Sequence, residues 1–214
     1  MKLLAFDTCL DKTYIVLNID GSIVDSRMVA SDENSYHSAY LISQIADVFN
    51  TNKMLPEEID AIAINVGPGS FTGIRACTTV ARVMAQQLNK KAIGVSSLEI
   101  ISKLNPTAKN TLVALDARKE MAYLYFENEI KGAVLLDDID EIVRNNDYFV
   151  ITDNKLLSRF SNFTQDILSY QENDKKLGEI LSQIALEKLE NGVDTNWAKL
   201  MPLYIQPPPV TKKV

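Results

Sequence analysis

The chain has 214 residues, 46% hydrophobic and 23% charged, a composition typical of a globular protein. Its 22 basic and 28 acidic residues give a net charge of −6, which argues against a protein that binds nucleic acid by itself but leaves open RNA held mainly by another subunit. The two cysteines, Cys9 and Cys77, lack metal-type spacing, and the single histidine, His37, excludes every metal site that needs two imidazoles.

The first half of the chain predicts a mixed α/β sheet. Apolar and alternating runs predict strands, and Asp20-Gly21 is a hairpin turn signal. The predicted order is strands over residues 3–7, 13–19 and 23–30, a helix over 36–50 capped by Ser35, a strand over 59–66, a helix over 71–88, a strand over 91–95 and a short helix over 96–104. This order predicts antiparallel strands that are extended in parallel by α/β crossovers.

The second half carries weaker signals. Its predicted elements are strands over 111–116, 121–127 and 130–136, a short helix over 138–145, a strand over 148–152 and an amphipathic helix over 177–190. Asn191-Gly192 ends that last helix, and the final residues, PPPVTKKV, predict an extended or disordered tail.

A weak internal repeat links the two halves. Residues 6–17 align with residues 115–126, because each segment reads as an apolar residue and an Asp, then a turn, then an alternating strand near a Tyr. Two matching hairpins suggest two lobes of one ancestral unit, whereas the alternative is coincidence between two ordinary hairpins.

No targeting or membrane segment is evident in the sequence. The apolar run from Leu3 to Phe6 is too short for a signal peptide, and no stretch approaches the roughly 18 apolar residues of a membrane span. The low cysteine content fits a reduced compartment, so we expect a cytoplasmic protein.

The sharpest local feature is the run GPGSFTGIR at residues 67–75. Its glycine spacing does not match the dinucleotide fingerprint, and it lacks the P-loop lysine. Free N–H groups at the start of the following helix are one way to bind an anion. The commoner alternative is that Ser70 caps the helix while the glycines allow positive φ and close backbone packing.

Two aspartates and the histidine are further candidates. Asp7 and Asp116 each follow a buried strand, where a pair of carboxylates is able to hold Mg²⁺ beside phosphates, although an Asx-turn is the commoner use. His37, in the first turn of a predicted helix, is interpreted as a surface or interface histidine.

The apolar faces of helices 36–50 and 71–88 each cover about half of the helix surface, more than the stripe of about 100° that packing on one sheet requires. We interpret the excess as a partner surface, and the alternative is that the two helices pack on each other. On this interpretation one edge of the arc on helix 71–88 meets the partner, and Val83→Glu or Ala81→Glu is expected to prevent association while leaving the chain folded.

Four segments resemble the TsaB (YeaZ) family of bacterial tRNA threonylcarbamoyladenosine biosynthesis proteins: FDTC at 6–9, NVGPGSFTGIR at 65–75, GVSSLE at 94–99 and LDARKEMAY at 115–123. The resemblance covers residues 1–127 well and residues 128–200 weakly. The segment MPLYI at 201–205 resembles the family's end motif, but Gln206 stands where the family usually has an Arg.

The resemblance implies an α/β fold of the actin-like ATPase (ASKHA) superfamily, with two RNase H-like lobes of which the second is reduced. The implied domains are an N-terminal lobe over 1–104, a second lobe over 105–200 and an extended tail over 201–214. The implied role is a non-catalytic partner that scaffolds and activates a TsaD-type transferase together with a TsaE-type ATPase. The chain would reach tRNA only through that complex and would be able to homodimerise when alone.

The rival interpretation is an autonomous actin-like kinase or ATPase, or a metallopeptidase-like enzyme. In TsaD-like relatives two histidines at i and i+4 bind the metal, and Ser97 and Ile101 occupy those places here, so we expect no metal and no catalytic residue. No tightly bound cofactor is expected either, with ATP or ADP allowed at the interface of the complex.

The resemblance and the motifs together give two sets of site residues. The degenerate nucleotide or phosphate cleft is expected to contain Asp7, Thr8, Gly67, Gly69, Ser70, Thr72, Asp116 and Arg118. The partner interface is expected to contain His37, Leu41, Ile74, Ala76, Val80, Ala81, Val83 and Ala85.

Overall fold

The first half of the chain forms a five-stranded sheet in the computed structural model, which describes residues 1–31 and 36–206. Strands β1 (Lys2–Asp7), β2 (Thr13–Ile19) and β3 (Ser22–Val29) pair antiparallel, and β4 (Ala61–Asn65) and β5 (Lys91–Val95) extend the sheet in parallel beside β1. The strand order β3-β2-β1-β4-β5 confirms the predicted sequence of antiparallel and then parallel pairing.

Two helices cover one face of this sheet. Helix α1 (Leu41–Thr51) and helix α2 (Phe71–Leu88) pack their apolar side chains against one set of alternate residues in β1, β2 and β4. The bounds of α2 confirm the prediction. Helix α1 begins later than predicted, because a 3-10 turn occupies residues 37–40, and the predicted cap Ser35 lies outside the described residues.

The second half forms another five-stranded sheet, in the order β8-β7-β6-β9-β10. Its strands are β6 (Asn110–Arg118), β7 (Met121–Phe126), β8 (Glu129–Leu135), β9 (Tyr148–Thr152) and β10 (Ile167–Ser169). Two short helices, α4 (Leu136–Asn145) and α5 (Asn154–Phe160), pack on its outer face. Sequence patterning misses β10 and α5, since three and seven residues are too few to show a period.

The two sheets share one topology. In each, a central strand has an antiparallel hairpin on one side and parallel strands on the other. The aligned hairpins occupy equivalent positions, with Asp7 opposite Tyr14 and Asp116 opposite Ala122, and the second hairpin is one residue shorter. The chain therefore has the predicted actin-like fold of two RNase H-like lobes, with shorter helices in the second.

A third layer lies between the sheets. Helix α3 (Ser97–Ser102) and helix α6 (Leu177–Glu190) bury their apolar side chains against the first sheet on the face opposite α1 and α2, and also against β6 and β9. Although α6 follows the second sheet in the chain, it lies directly against β1 and β2. The predicted boundary at residue 104, which assigns α6 to the second lobe, stays a prediction.

The last described segment returns to the first sheet. Thr195 O accepts a hydrogen bond from Ala92 N of β5, Leu200 is buried beside α2, and Leu203 N donates to Val66 O at 2.8 Å. Residues 201–206 contain no helix or strand, and the predicted tail at 207–214 lies outside the described residues. None of the helices in the described ranges is both long and apolar enough to cross a membrane.

Candidate functional site

Asp7 stands at the carboxyl end of β1 and is buried. Its Oδ1 accepts a hydrogen bond from Cys9 N at 2.6 Å, and its Oδ2 accepts one from Asn65 Nδ2 at 2.9 Å. Burial raises the pKa of the Asp7 carboxyl to about 6, although the hydrogen bonds from Asn65 and Cys9 oppose the rise. Both carboxylate oxygens are therefore engaged by the protein itself.

Asn65 connects Asp7 to the glycine turn and to α3. Its Oδ1 accepts hydrogen bonds from Gly67 N at 2.8 Å and from Ser97 Oγ at 2.9 Å. Our sequence analysis did not single out Asn65, because it ends an apolar strand. The signal available in the sequence was a polar amide at the end of an apolar strand, where a buried amide needs hydrogen-bond partners.

The glycine turn packs directly on the loop after β1. Ser70 N donates to Cys9 O at 2.7 Å, and Thr8 Oγ1 donates to Gly73 O at 2.7 Å. A Cβ atom on Gly69 would lie 2.2 Å from Cys9 O, and one on Gly73 would lie 1.8 Å from Thr8 O.

The cap at the start of α2 is the predicted one. Ser70 Oγ accepts a hydrogen bond from Gly73 N, which confirms the capping interpretation of the motif. Gly67 is buried at a φ of 101° that favours glycine, whereas Thr72 is exposed. The turn is therefore explained by capping and close packing, and its use as an anion site stays a prediction.

Asp116 has a more polar environment than Asp7. Its Oδ2 forms an ion pair with Lys155 Nζ at 2.7 Å, and its Oδ1 accepts a hydrogen bond from Arg118 N at 2.9 Å. Partial burial would raise the pKa of the Asp116 carboxyl, but the Lys155 ammonium and the Arg118 amide outweigh it and hold the pKa below its ordinary value. The Arg118 side chain is exposed, and its charge also lowers the pKa of Asp116.

Asp153 supports Asp116 from the start of α5. Its Oδ2 accepts a hydrogen bond from Asp116 N at 2.6 Å, and its Oδ1 caps α5 by accepting from Lys155 N and Leu156 N. The sequence does not reveal the roles of Asp153 and Lys155. These roles depend on the pairing of β6 with β9, two strands that are far apart in the chain.

The loop after β1 also contacts the segment that precedes α6. Asp11 Oδ2 accepts hydrogen bonds from Tyr170 Oη at 2.7 Å and from Gln171 Nε2 at 2.5 Å, and Lys12 forms an ion pair with Asp174 at 2.5 Å. Burial, reinforced by the Asp11 carboxylate, raises the pKa of the Tyr170 hydroxyl. These contacts join the two halves of the chain beside Asp7.

The arrangement is better suited to holding the two lobes together than to binding phosphate. Thr8 Oγ1 and Ser70 N, which could bind phosphate oxygens, are used internally. Burial and the carboxylates of Asp7, Asp11 and Asp174 all act to raise the pKa of Tyr14. Within residues 1–31 and 36–206, no three His, Cys, Asp or Glu side chains form a set of metal ligands.

Most of the predicted interface residues point into the core. His37, Leu41, Ile74, Ala81 and Ala85 are buried. The surface position expected for His37 is wrong, since its ring lies inside with Nδ1 3.0 Å from Thr13 Oγ1, and burial lowers the pKa of the imidazole.

Two rows of apolar residues remain accessible on the same side of the first sheet. Val83 is 52% exposed, Ala76 and Val80 are half-buried, and these three follow one row along α2. Ile42 is 69% exposed and Ala46 is exposed on α1. Sequence analysis chose Leu41 instead of Ile42, because the apolar periodicity does not reveal which part of the arc meets the sheet. We call these five residues the apolar stripe.

Comparisons with known proteins point to one family. A family model described as "TsaD: tRNA N6-adenosine threonylcarbamoyltransferase" matches residues 28–161. The "tRNA threonylcarbamoyladenosine biosynthesis protein TsaB" of Escherichia coli (strain K12) is 29% identical over 126 residues, 58% of this chain and 53% of that protein. The protein of the same name from Bacillus subtilis (strain 168) is 29% identical over 125 residues, again 58% and 53%. The chain thus spans about half the length of these curated relatives.

A solved structure extends the likeness in fold to nearly the whole chain. "YeaZ from Pseudomonas aeruginosa" superimposes with a TM-score of 0.72 over 95% of this chain and 99% of that one, at 19% sequence identity. At this identity the likeness shows a shared fold, including the second lobe, where the sequence signals are weak.

Proposed function

Because the chain belongs to the family described by the TsaD model and is similar to curated TsaB proteins, we propose that it is a non-catalytic partner subunit in the formation of threonylcarbamoyladenosine on tRNA. In this role it scaffolds and activates a TsaD-type transferase, working together with a TsaE-type ATPase, and it contributes no reacting group of its own.

The observation that carries the proposal is the apolar stripe. A helix that packs on one sheet needs only one apolar face, but α1 and α2 each bury one face and leave a second row of alanine and branched residues partly or fully accessible. Small and branched side chains at spacings of three and four residues are suited to packing against the helices of another protein. We assign this surface to the TsaD-type subunit.

The positions of Ser97 and Ile101 support a role without metal catalysis. These residues stand where TsaD-like relatives have metal-binding histidines, and both are buried here. Ser97 Oγ donates its hydrogen bond to Asn65, and the Ile101 side chain packs between the sheets. Both positions therefore serve the fold.

The first experiment measures association with the TsaD-type subunit of the same organism by calorimetry. Ile42→Glu combined with Val83→Glu places charges in a surface that association would bury, so binding should weaken at least a hundredfold while the chain stays folded. The matched control is Val24→Glu, a residue 50% exposed on the edge strand β3, which should bind like the unmodified chain. Full binding by the double variant would contradict the assignment.

The second experiment measures tRNA modification in a reconstituted mixture with each subunit omitted in turn. The chain alone should form no threonylcarbamoyladenosine when supplied with threonylcarbamoyl-adenylate, and the transferase should need the chain for full activity. Turnover by the chain in the absence of its partner would contradict a non-catalytic role and favour the enzyme interpretation.

A further inference from the structure

Two adjacent segments of the chain differ in charge from the rest. Residues 66–88 and 196–206 contain no Asp or Glu, although acidic residues outnumber basic ones by 28 to 22 in the whole chain. They contain three cationic residues, Arg75, Arg82 and Lys199. The segments lie side by side, because Leu203 N bonds to Val66 O and Trp197 packs beside α2. Lys199 is ion-paired with Asp194 at 2.6 Å, so Arg75 and Arg82 carry the positive charge of this surface.

Aromatic and cationic side chains alternate along this surface. Phe71 and Tyr204 are 47% and 44% exposed, with ring centroids 5.7 Å apart. The Arg75 guanidinium lies 5.2 Å from the Phe71 ring centroid. Farther along α2, Arg82 lies 6.0 Å from the Trp197 ring and 3.3 Å from Met201 Sδ. We call these six residues the arginine–aromatic ridge.

Arg75 and Arg82 differ from Arg27 and Arg159 in their partners. Arg27 and Arg159 form ion pairs with aspartates. In the described part of the chain, Arg75 and Arg82 have no carboxylate within ion-pair distance and contact only aromatic rings and a thioether. Their charges are therefore available to an anionic partner, and the rings hold the guanidinium groups in place.

We propose that the arginine–aromatic ridge binds a single-stranded segment of RNA. Exposed aromatic faces stack on unpaired bases, and guanidinium groups pair with the phosphates between them. An acidic protein surface would pair with the arginines alone, whereas unpaired bases would also contact the exposed rings of Phe71 and Tyr204. The contact is local, which agrees with a net charge of −6 and with RNA held mainly by another subunit.

The ridge and the apolar stripe lie on different sides of α2. At 100° per residue, Phe71, Arg75 and Arg82 fall within an arc of about 40°, whereas Ala76, Val80 and Val83 lie roughly 80° to 180° away from them. A partner on the stripe would leave the ridge free. The identification of the RNA as tRNA rests on the proposed function, but the contact itself does not.

The test measures RNA binding to the full chain by fluorescence anisotropy at low and moderate salt. The two labelled probes are a mixed-sequence RNA of about 12 nucleotides and a tRNA transcript. We expect a dissociation constant of about 100 µM or tighter at roughly 50 mM salt. Phe71→Ala with Tyr204→Ala should weaken binding at least fivefold without changing its salt dependence. Arg75→Gln with Arg82→Gln should weaken binding and reduce the log–log salt slope by about 1.4, as expected for two lost phosphate contacts.

Arg144→Gln is the matched control, because Arg144 lies 4.1 Å from the Phe163 ring on the second lobe and repeats the same chemistry elsewhere. It should bind RNA like the unmodified chain. The proposal is overturned if neither probe binds, if the control loses as much affinity as the ridge variants, or if the ridge variants lose association with the transferase subunit and keep RNA binding. The last result would make the ridge a protein surface. If Ile42→Glu combined with Val83→Glu keeps full association with the transferase subunit, the proposed function is contradicted, but the RNA-binding proposal is unaffected.

Discussion

Gly69 and Gly73 show how single residues determine the geometry beside Asp7. Each lies where the backbone of the helix start touches the backbone of the loop after β1, so even a methyl group would overlap a carbonyl oxygen. The contact allows Ser70 N and Thr8 Oγ1 to form their hydrogen bonds. These glycines therefore serve packing between the loop and α2.

Gly73→Ala is expected to destabilise the protein by about 3 kcal/mol or more, because the Thr8 carbonyl is part of a buried backbone that has little room to move. Urea unfolding monitored by circular dichroism would measure the loss. The control is Gly192→Asn, at the end of α6, where the φ of 73° suits asparagine and no neighbour lies within 4 Å of a Cβ. Its change should stay within about 1 kcal/mol, and equal losses in both variants would contradict the packing argument.

Asp7 is predicted to make stability depend on pH in an unusual direction. Between the ordinary carboxyl pKa of 3.8 and about 6, the folded protein binds more protons at Asp7 than the unfolded chain does. Stability contributed by this group is therefore present in acid and falls as pH rises through that range, by an amount on the order of 3 kcal/mol.

Asp7→Asn removes this titration. The free energy of unfolding of the variant minus that of the unmodified chain should rise as pH increases from about 4.5 to 7. Asp116→Asn is the comparison, since the pKa of Asp116 is lowered and its titration lies below this range, so its difference should be nearly flat. A flat difference for Asp7→Asn would show that the carboxyl is not destabilised by burial.

At the scale of the element, α2 has three distinct sides. Ile74, Cys77, Ala81 and Ala85 face the first sheet, Val80 and Val83 belong to the exposed stripe, and Phe71, Arg75 and Arg82 form part of the ridge. The wide apolar arc of the sequence is thus part core and part surface. Because Ala81 faces the sheet, we expect Ala81→Glu to impair folding, contrary to the expectation from the sequence.

Ala81→Glu and Val83→Glu form a test of this division within one helix. Glu at position 81 would bury a carboxylate without a partner and should cost more than about 3 kcal/mol or prevent folding. Glu at position 83 should change stability by less than about 1 kcal/mol. Thermal unfolding of the two variants measures both values. Equal stability would mean that α2 packs on the sheet with a different set of residues.

At the scale of the whole molecule, two structural features join the lobes. Helix α6 buries side chains against both sheets, and the loop after β1 is fixed to Tyr170 and Asp174. In an actin-like fold the nucleotide lies between the lobes, with glycine turns of the second lobe closing over the adenosine. Here the only glycines after Gly132 are Gly178, which packs on Tyr14, and Gly192.

The isolated chain is therefore expected to bind ATP weakly or not at all. Thr8 Oγ1 and Ser70 N are engaged internally, and the carboxylates of Asp7 and Asp11 would repel phosphate. Calorimetry with ATP and Mg²⁺ should show no saturation below millimolar concentrations. Micromolar affinity that is lost in Asp7→Ala would restore the kinase interpretation.

The sequence by itself determined most of the regular elements. Strands over Thr13–Ile19, Lys91–Val95 and Tyr148–Thr152 and helices over Phe71–Leu88 and Leu177–Glu190 have the predicted bounds, because their periodicity and end signals are local properties of the chain. The repeated Asp-containing hairpin likewise predicted the duplicated topology. The family resemblance rests on the same local segments.

Only the tertiary structure decided which side chains are accessible and which polar groups meet. Periodicity shows that a face is apolar but not what covers it. The burial of Leu41, Ala81 and His37 therefore becomes evident only when both helices are seen packed on the sheet. The bonds of Asp11 with Tyr170 and of Asp116 with Lys155 join residues distant in sequence, and no local pattern encodes such a pair. Local chemistry therefore fixes the elements, whereas the surfaces and the site arise from contacts that form only when the elements assemble.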